Sequence, residues 1–437
     1  MRPSNGNSPS DPSIGLALAG GAPGGAIYEI GAMHALDEAI EGLDLNRCEA
    51  YVGVSAGAFL AACLANGLPT AKQCRAVVKR EPGEHPFVPE IFFQPAVREL
   101  TRRIAKAPGL FFGALRDYVT RREKRLLEAL TVLGESLPVA VFDNEPIRDY
   151  VHRIFSIKDR TDDFQQLDRK LTVVTTDLES GQAMRFGHSG WMHTPISQAV
   201  QASTALPGLY PPVEINGRYY VDGILLKTMH ASVALEAGAE LVFCINPLVP
   251  VDTRKAVQEN RFEVGEVIRH GLPSVLSQSV RTMIHSRMSL GLRAYDTHFP
   301  DADVILIEPP REDYEHFFSN IFSFASRRSG CKHAYEATRK SLLRRKNEIA
   351  PVLERHGLRL DLDVLHDEDR DLWESVGLPE VAEEEAANTG KKAPAPPAEI
   401  RDLTVTRDLE DLLDRVEALV ERQAGRGTEV EVEPMVH

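Results

Sequence analysis

Five short apolar runs, at 14–19, 51–54, 171–176, 241–246 and 304–308, are separated by longer stretches in which apolar residues recur at helical spacing. Runs of this length without polar alternation are the pattern of strands buried on both faces. Strand and helix in turn predict an α/β chain: a mostly parallel central sheet sandwiched by helices in three layers. In such sheets the loops at the C-terminal ends of the strands carry the functional groups. A chain of 437 residues that is 43% hydrophobic can bury a core of that size.

Two of the runs lead into glycine-rich turns. Ala50-Tyr51-Val52 is followed by Gly53-Val54-Ser55-Ala56-Gly57 and then by the helix-like Ala58-Phe59-Leu60-Ala61-Ala62-Cys63-Leu64. Ser55 therefore sits where a strand turns sharply into a helix, which is where a serine nucleophile is presented. Gly53 and Gly57 let strand and helix approach closely, and the N–H groups of the helix start favour negative charge developing there. The other turn, Gly20-Gly21-Ala22-Pro23-Gly24-Gly25, lies between the run at 14–19 and a helix-like stretch at 26–40. Its backbone N–H groups suit an oxyanion hole. A phosphate-binding loop is the competing reading, but G-x-G-x-x-G is broken at Ala22 and no Walker lysine follows.

Further along, Ala202-Ser203-Thr204-Ala205-Leu206-Pro207 precedes Tyr219-Tyr220-Val221-Asp222-Gly223, an apolar run ending in a carboxylate and a glycine. The order glycine-rich loop, G-x-S-x-G, A-S-x-A-x-P, D-G resembles the patatin-like phospholipase family. Thr175-Thr176-Asp177-Leu178-Glu179-Ser180-Gly181 is similar to that family's middle strand and turn. The resemblance spans roughly residues 14–350, with its specific motifs within 14–250.

Carried onto this chain, the resemblance implies that Ser55 is the nucleophile and Asp222 its general base, a dyad without histidine. It implies an acyl hydrolase of lipid esters that needs no metal or other cofactor. A carboxylate is a weak base toward a hydroxyl, so much of the barrier lowering falls to preorganised donors. Those donors are assigned to the turn Gly20, Gly21, Ala22, Gly24 and Gly25, with the Ala56 amide in addition and Gly53, Gly57 and Gly223 in support. One such donor is typically worth roughly 3 kcal/mol in the transition state.

Two positions depart from the family pattern. Ala22 replaces the third glycine of the loop, and Gly24 stands where the family has a basic residue, which favours a neutral ester over an anionic headgroup. Ile224 follows Gly223 in place of Gly or Ala, and a β-branched residue restricts the turn. Two rival readings follow. One is a conventional Ser-His-Asp esterase using one of the fourteen histidines. The other is a catalytically silent lipid-binding or scaffold protein.

The net charge of −14 argues against nucleic acid as a partner. Cys48, Cys63, Cys74, Cys244 and Cys331 show no C-x-x-C spacing and are expected to be buried thiols. His188 and His193 lie five apart near Asp177 but share no helical face and have no third partner, so no metal site is expected. With neither an apolar leader nor an apolar run of membrane-spanning length, a cytoplasmic location, peripheral to a membrane, is the expectation.

Domain boundaries are expected as a disordered N-terminus at 1–13, a catalytic domain at 14–355 with a basic helical insertion at 91–135, and an extension at 356–379. A disordered, charged and Ala/Pro-rich linker at 380–400 and a C-terminal helix and tail at 401–437 follow. Within 98–125, nine Lys or Arg face three acidic residues around Leu110-Phe111-Phe112. That composition suggests contact with an anionic membrane surface. At 402–423, Leu409, Leu412, Leu413, Val416, Leu419 and Val420 fall on one helix face. Oligomeric state is not legible.

Overall fold

The computed structural model describes residues 13–78, 93–96, 139–314, 317 and 324–378. The basic stretch at 98–125, the linker at 380–400, the C-terminal stretch at 401–437 and residues 1–12 lie outside them. Contacts divide the chain into two units. Of the described residues, the smaller comprises 93–96, 139–143 and 208–211, where the Phe142 N–H donates to the Leu209 carbonyl at 2.8 Å and the Phe142 and Tyr210 rings are 6.2 Å apart. The larger unit holds all of the strands among the described residues.

In chain order the strands are β1 (Ile14–Leu18), β2 (Ile40–Glu41), β3 (Ala50–Val54), β4 (Lys170–Asp177), β5 (Ala183–Phe186), β6 (Val213–Ile215), β7 (Arg218–Asp222), β8 (Leu241–Ile245), β9 (Asp303–Ile307) and β10 (Arg359–Leu360). The helices are α1 (Ala22–Ala39), α2 (Ala56–Ala65), α3 (Thr70–Val78), α4 (Glu145–Phe155), α5 (Ile196–Ser203), α6 (Ala231–Glu236), α7 (Arg254–Gln258), α8 (Glu266–Arg269), α9 (Gly271–His298), α10 (Phe324–Arg344), α11 (Lys346–Arg355), α12 (Leu362–His366) and α13 (Leu372–Ser375).

The main sheet has the order β6-β7-β4-β3-β1-β8-β9, with β5 also on β4. Strands β4, β3, β1, β8 and β9 run parallel, and β5, β6 and β7 form the antiparallel part. All five apolar runs are strands of this sheet; those at 14–19, 51–54, 171–176 and 241–246 are buried on both faces as their unalternating composition requires, whereas β9, at the edge, is only half-buried on one face. One face, carrying Ala17, Ala19, Val52, Val54, Val174, Val242 and Cys244, packs under α6, with Met288 and Tyr295 of α9 beside it. Helix α2 lies against β1, β3 and β4, and α1 packs along α10.

Three details differ from the sequence reading. Helix α1 starts at Ala22, not at residue 26, because Pro23 suits a first helical turn, where its missing N–H costs nothing. Hairpin β6–β7 was not anticipated, although its turn Asn216-Gly217, with φ of +52° and +76°, is a strong two-residue hairpin signal. Residues beyond Arg355 continue the fold: β10 pairs with β2, and Trp373 is buried. The five cysteines are buried and free.

Candidate active site

Strand β4 brings the two expected chemical groups together. Residues 173–174 of β4 pair with β3 on one edge and β5 on the other, whereas 175–176 pair with β5 and β7. Strands β3 and β7 therefore share one edge of β4, end to end. Val54 stands opposite Val174 and Asp222 opposite Thr175, so the two C-terminal ends meet head on. Ser55 is the next residue after β3, and Asp222 is the last of β7.

Small residues make that meeting possible. A Cβ on Gly53 would lie 2.4 Å from the Ala58 Cα, and one on Gly57 2.5 Å from the Ala19 carbonyl oxygen. A Cβ on Gly223 would lie 2.5 Å from the Val174 oxygen. Ser55 itself has φ +54° and ψ −124°, outside the regions that L-residues favour. Such strain persists only where surrounding packing imposes it, and it turns the hydroxyl out of the strand.

Ser203, at the end of α5, sets the backbone of this turn. Its hydroxyl accepts the Ser55 N–H at 2.8 Å and donates to the Val174 carbonyl at 2.7 Å. It thus replaces the ladder bond that β4 and β3 lose where the chain bends away. The N–H of Asp222 donates to the Ala205 carbonyl at 3.0 Å, and the Thr176 hydroxyl donates to the carbonyl of Asp222 at 3.1 Å. A-S-x-A-x-P was legible as a motif, but nothing local announced that its serine holds Ser55 and its second alanine Asp222.

Asp222 is buried, 2% exposed. Burial raises its pKa from 3.8 to about 7, opposed by the Ile224 N–H, which donates to Oδ1 at 2.9 Å, and by the neighbouring Ser55 hydroxyl. Among the described residues no histidine ring is hydrogen-bonded to Ser55 or Asp222. His34 lies between Thr70 and Ser375, His188 is on Thr172, and His193 is on Gln165. The buried His230 has its pKa lowered to about 3 by desolvation and then by Lys227 and Arg185 nearby. It is a neutral ring.

The glycine-rich turn borders Ser55. A Cβ on Gly20 would lie 3.0 Å from the Ser55 Cβ and 3.1 Å from the Ile224 Cδ1. Its N–H points to the Thr228 carbonyl at 3.4 Å, and the Gly25 N–H bonds the Gly21 carbonyl at 2.8 Å as the first α1 ladder bond. Pro23 has no N–H. Gly21 caps α1, and Ala22 and Gly24 are in its first turn, where intrahelical partners are lacking. Ala56 is in the same position on α2. Ala22 has φ +52°, so alanine occupies a left-handed conformation that favours glycine.

A family model described as Patatin-like phospholipase matches residues 16–235, half of the chain. Uncharacterized NTE family proteins of Mycobacterium bovis and Mycobacterium tuberculosis are 29% identical over 126 residues, which is 29% of this chain and 30% of each relative. The match thus spans less than a third of those relatives. Among solved structures, VipD from Legionella pneumophila is similar at 16% identity and a TM-score of 0.32, over 76% of this chain and 67% of that one. The type III effector protein ExoU is similar at 14% identity and a TM-score of 0.32, over 77% of this chain and 54% of its own.

Proposed function

The chain belongs to the patatin-like phospholipase family, and from that premise we propose that it is a lipid acyl hydrolase with Ser55 as nucleophile and Asp222 as general base. The observation that carries this reading is the abutment of β3 and β7 along β4, with Ser55 following the one and the buried Asp222 carboxyl, its pKa raised by burial to about 7, ending the other. A carboxylate with an ordinary pKa would be a poor base toward serine. Desolvation brings Asp222 toward the operating range of a general base.

In the first half-reaction Ser55 Oγ attacks the ester carbonyl carbon while its proton moves to Asp222. The oxyanion that forms is held by N–H groups. Gly21, Ala22 and Gly24 at the start of α1 and Ala56 at the start of α2 are the donors we assign, since the Gly20 and Gly25 N–H groups have carbonyl partners. Collapse breaks the ester C–O bond, and the leaving alcohol takes the proton from Asp222. Asp222 then accepts a proton from water as the water attacks the acyl-enzyme, and returns it to Ser55 as the fatty acid leaves.

Ile224 lies beside Gly20, and no lysine or arginine stands in the 20–25 turn. An apolar wall without a cation there favours neutral glycerides, lysolipids or zwitterionic lipids over an anionic headgroup. The test is fluorophosphonate labelling with a panel of nitrophenyl esters, lysophospholipids, diacyl phospholipids and glycerides, on wild type, Ser55→Ala and Asp222→Asn. Wild type should label at Ser55 and release fatty acid, and both variants should lose at least a thousandfold in kcat. A folded wild-type protein that neither labels nor hydrolyses any member of the panel would overturn the reading.

A further inference from the structure

Thr175, on β4, is fully buried, and its hydroxyl has no hydrogen-bond partner among the described residues. A buried hydroxyl left unbonded costs free energy, so its place in the fold calls for a reason. That place is directly opposite Asp222 in the β4–β7 register. Residues opposite each other on antiparallel strands project to the same face of the sheet, with Cβ atoms about 5 Å apart. Val174, one residue earlier, belongs to the apolar cluster under α6, and alternation along the strand turns Thr175 to the other face.

The ladder brings this pair close. The Leu178 N–H donates to the Tyr219 carbonyl at 2.8 Å, which makes 178 and 219 a hydrogen-bonded pair. Such pairs alternate with non-hydrogen-bonded ones, so 175 and 222 are of the second kind, whose side chains stand nearest. The backbone of Asp222 agrees: its N–H goes to the Ala205 carbonyl and its carbonyl accepts the Thr176 hydroxyl. Of the lone pairs on its carboxyl, the Ile224 N–H takes one on Oδ1. A χ1 rotation of threonine exchanges hydroxyl and methyl within nearly the same volume, so it can aim the Thr175 proton at that carboxyl without repacking.

We propose that Thr175 is a positioning residue for the general base: its hydroxyl turns to donate to Asp222 when that carboxyl is ionised, and holds the carboxylate in the orientation from which it takes a proton. This rests on the dyad reading for its catalytic meaning, though not for its geometry. A hydrogen bond to a charged acceptor is stronger than one to a neutral group, so the donor favours the form of Asp222 that works as a base. Nearby charges are occupied or turned elsewhere. Asp177 of β4 and Arg218 of β7 pair at 3.1 Å, Arg185 of β5 pairs with Glu236, and Arg287 donates to the Leu225 carbonyl. Tyr219, beside Glu214, and Tyr220 and Cys63, through burial, have raised pKa values and hold their protons. Helix α5 carries no titratable side chain, and on the turn after Asp222 Lys227 is exposed and His230 is neutral.

The test compares full-length wild type with Thr175→Val, which removes the hydroxyl and keeps the branched shape, and with Thr175→Ser, which keeps the hydroxyl. The inflection in kcat/KM on a soluble ester should move up by about one pH unit in the valine variant and by less than about 0.3 in the serine variant. Thermal unfolding reads the same bond without turnover. At pH 5.5, with Asp222 protonated, Thr175→Val should melt no lower than wild type, because it deletes an unbonded group. At pH 8.5 it should melt about 2 °C lower or more, and on an Asp222→Asn background the valine effect should be the same at both pH values. If Thr175→Val does not fold, Thr175→Ala carries the same expected shift of the inflection. An unmoved inflection with a pH-independent stability effect would overturn the proposal, as would a serine variant shifted as far as the valine one. The stability crossover in a protein that hydrolyses no ester would retain Thr175 as the donor to Asp222 and remove only the catalytic reading.

Discussion

Ser55 and Ser203, 148 positions apart, are joined by a single hydrogen bond of 2.8 Å from the Ser55 N–H to the Ser203 hydroxyl. That hydroxyl donates in turn to the Val174 carbonyl, so one buried side chain ties the candidate nucleophile to β4, the strand against which Asp222 also pairs. Ser203→Ala leaves a donor and an acceptor unpaired in a dry site, which costs about 1–3 kcal/mol. Urea unfolding should show that loss. Turnover per folded molecule should fall more than tenfold with KM within threefold, because the turn is misplaced while the binding surface is not. Unchanged kcat in the folded variant would assign Ser203 to stability alone.

Asp222 predicts a pH dependence. A general base works deprotonated, so kcat/KM on a soluble ester should rise through an apparent pKa of about 7 and be level above it. Because the folded pKa lies above the ordinary 3.8, folding is favoured in full below that value, and the favourable contribution is lost as pH rises through about 7. Asp222→Asn should therefore be stabilised relative to wild type more at pH 8 than at pH 4. A rate profile with no inflection between pH 5 and 8 would count against Asp222 as the base.

At Ala22, φ of +52° makes glycine the better residue and a β-branched one worse. Ala22→Gly should stabilise by about 1 kcal/mol or be neutral, and Ala22→Val should destabilise by more than about 1 kcal/mol. Valine should also depress kcat, since it displaces the first-turn N–H groups beside Ser55. Paired denaturation and kinetic measurements read both effects. Equal stability of the two variants would mean that the turn relaxes out of the left-handed region.

Glu29, in α1, is fully buried, and neither carboxyl oxygen has a hydrogen-bond partner. Burial pushes its pKa well above the ordinary carboxylate value, so the folded protein holds a proton that the unfolded chain releases near neutrality. Stability from this residue falls as pH rises above the unfolded value. Glu29→Met, similar in volume, should raise the unfolding midpoint at pH 8 by roughly 3 °C or more and by less at pH 5. Calorimetry at the two pH values decides it, and a lower midpoint at pH 8 would indicate a stabilising role for the carboxyl.

Much of the architecture was legible because it depends on near neighbours. The apolar runs at 14–19 and 51–54 could only be buried strands, and Gly53 and Gly57 bracket Ser55 where any Cβ would collide with helix or strand backbone. Hairpin β6–β7 was equally local, and Asn216-Gly217 carried its signal. The first turn of α1 was misread as loop because glycines mask helical periodicity, while Pro23 alone marked the helix start.

Residue order along the chain thus determined the elements, the bend at Ser55 and the positions where only a missing side chain fits, since steric exclusion acts between atoms a few bonds or one turn apart. Which N–H groups remain open beside Ser55, that Ser203 rather than a ladder carbonyl receives the Ser55 amide, and that β3 and β7 abut along β4 were decided by tertiary structure. Each is a choice among partners more than a hundred positions away, and burial and strand order, not local propensity, make that choice.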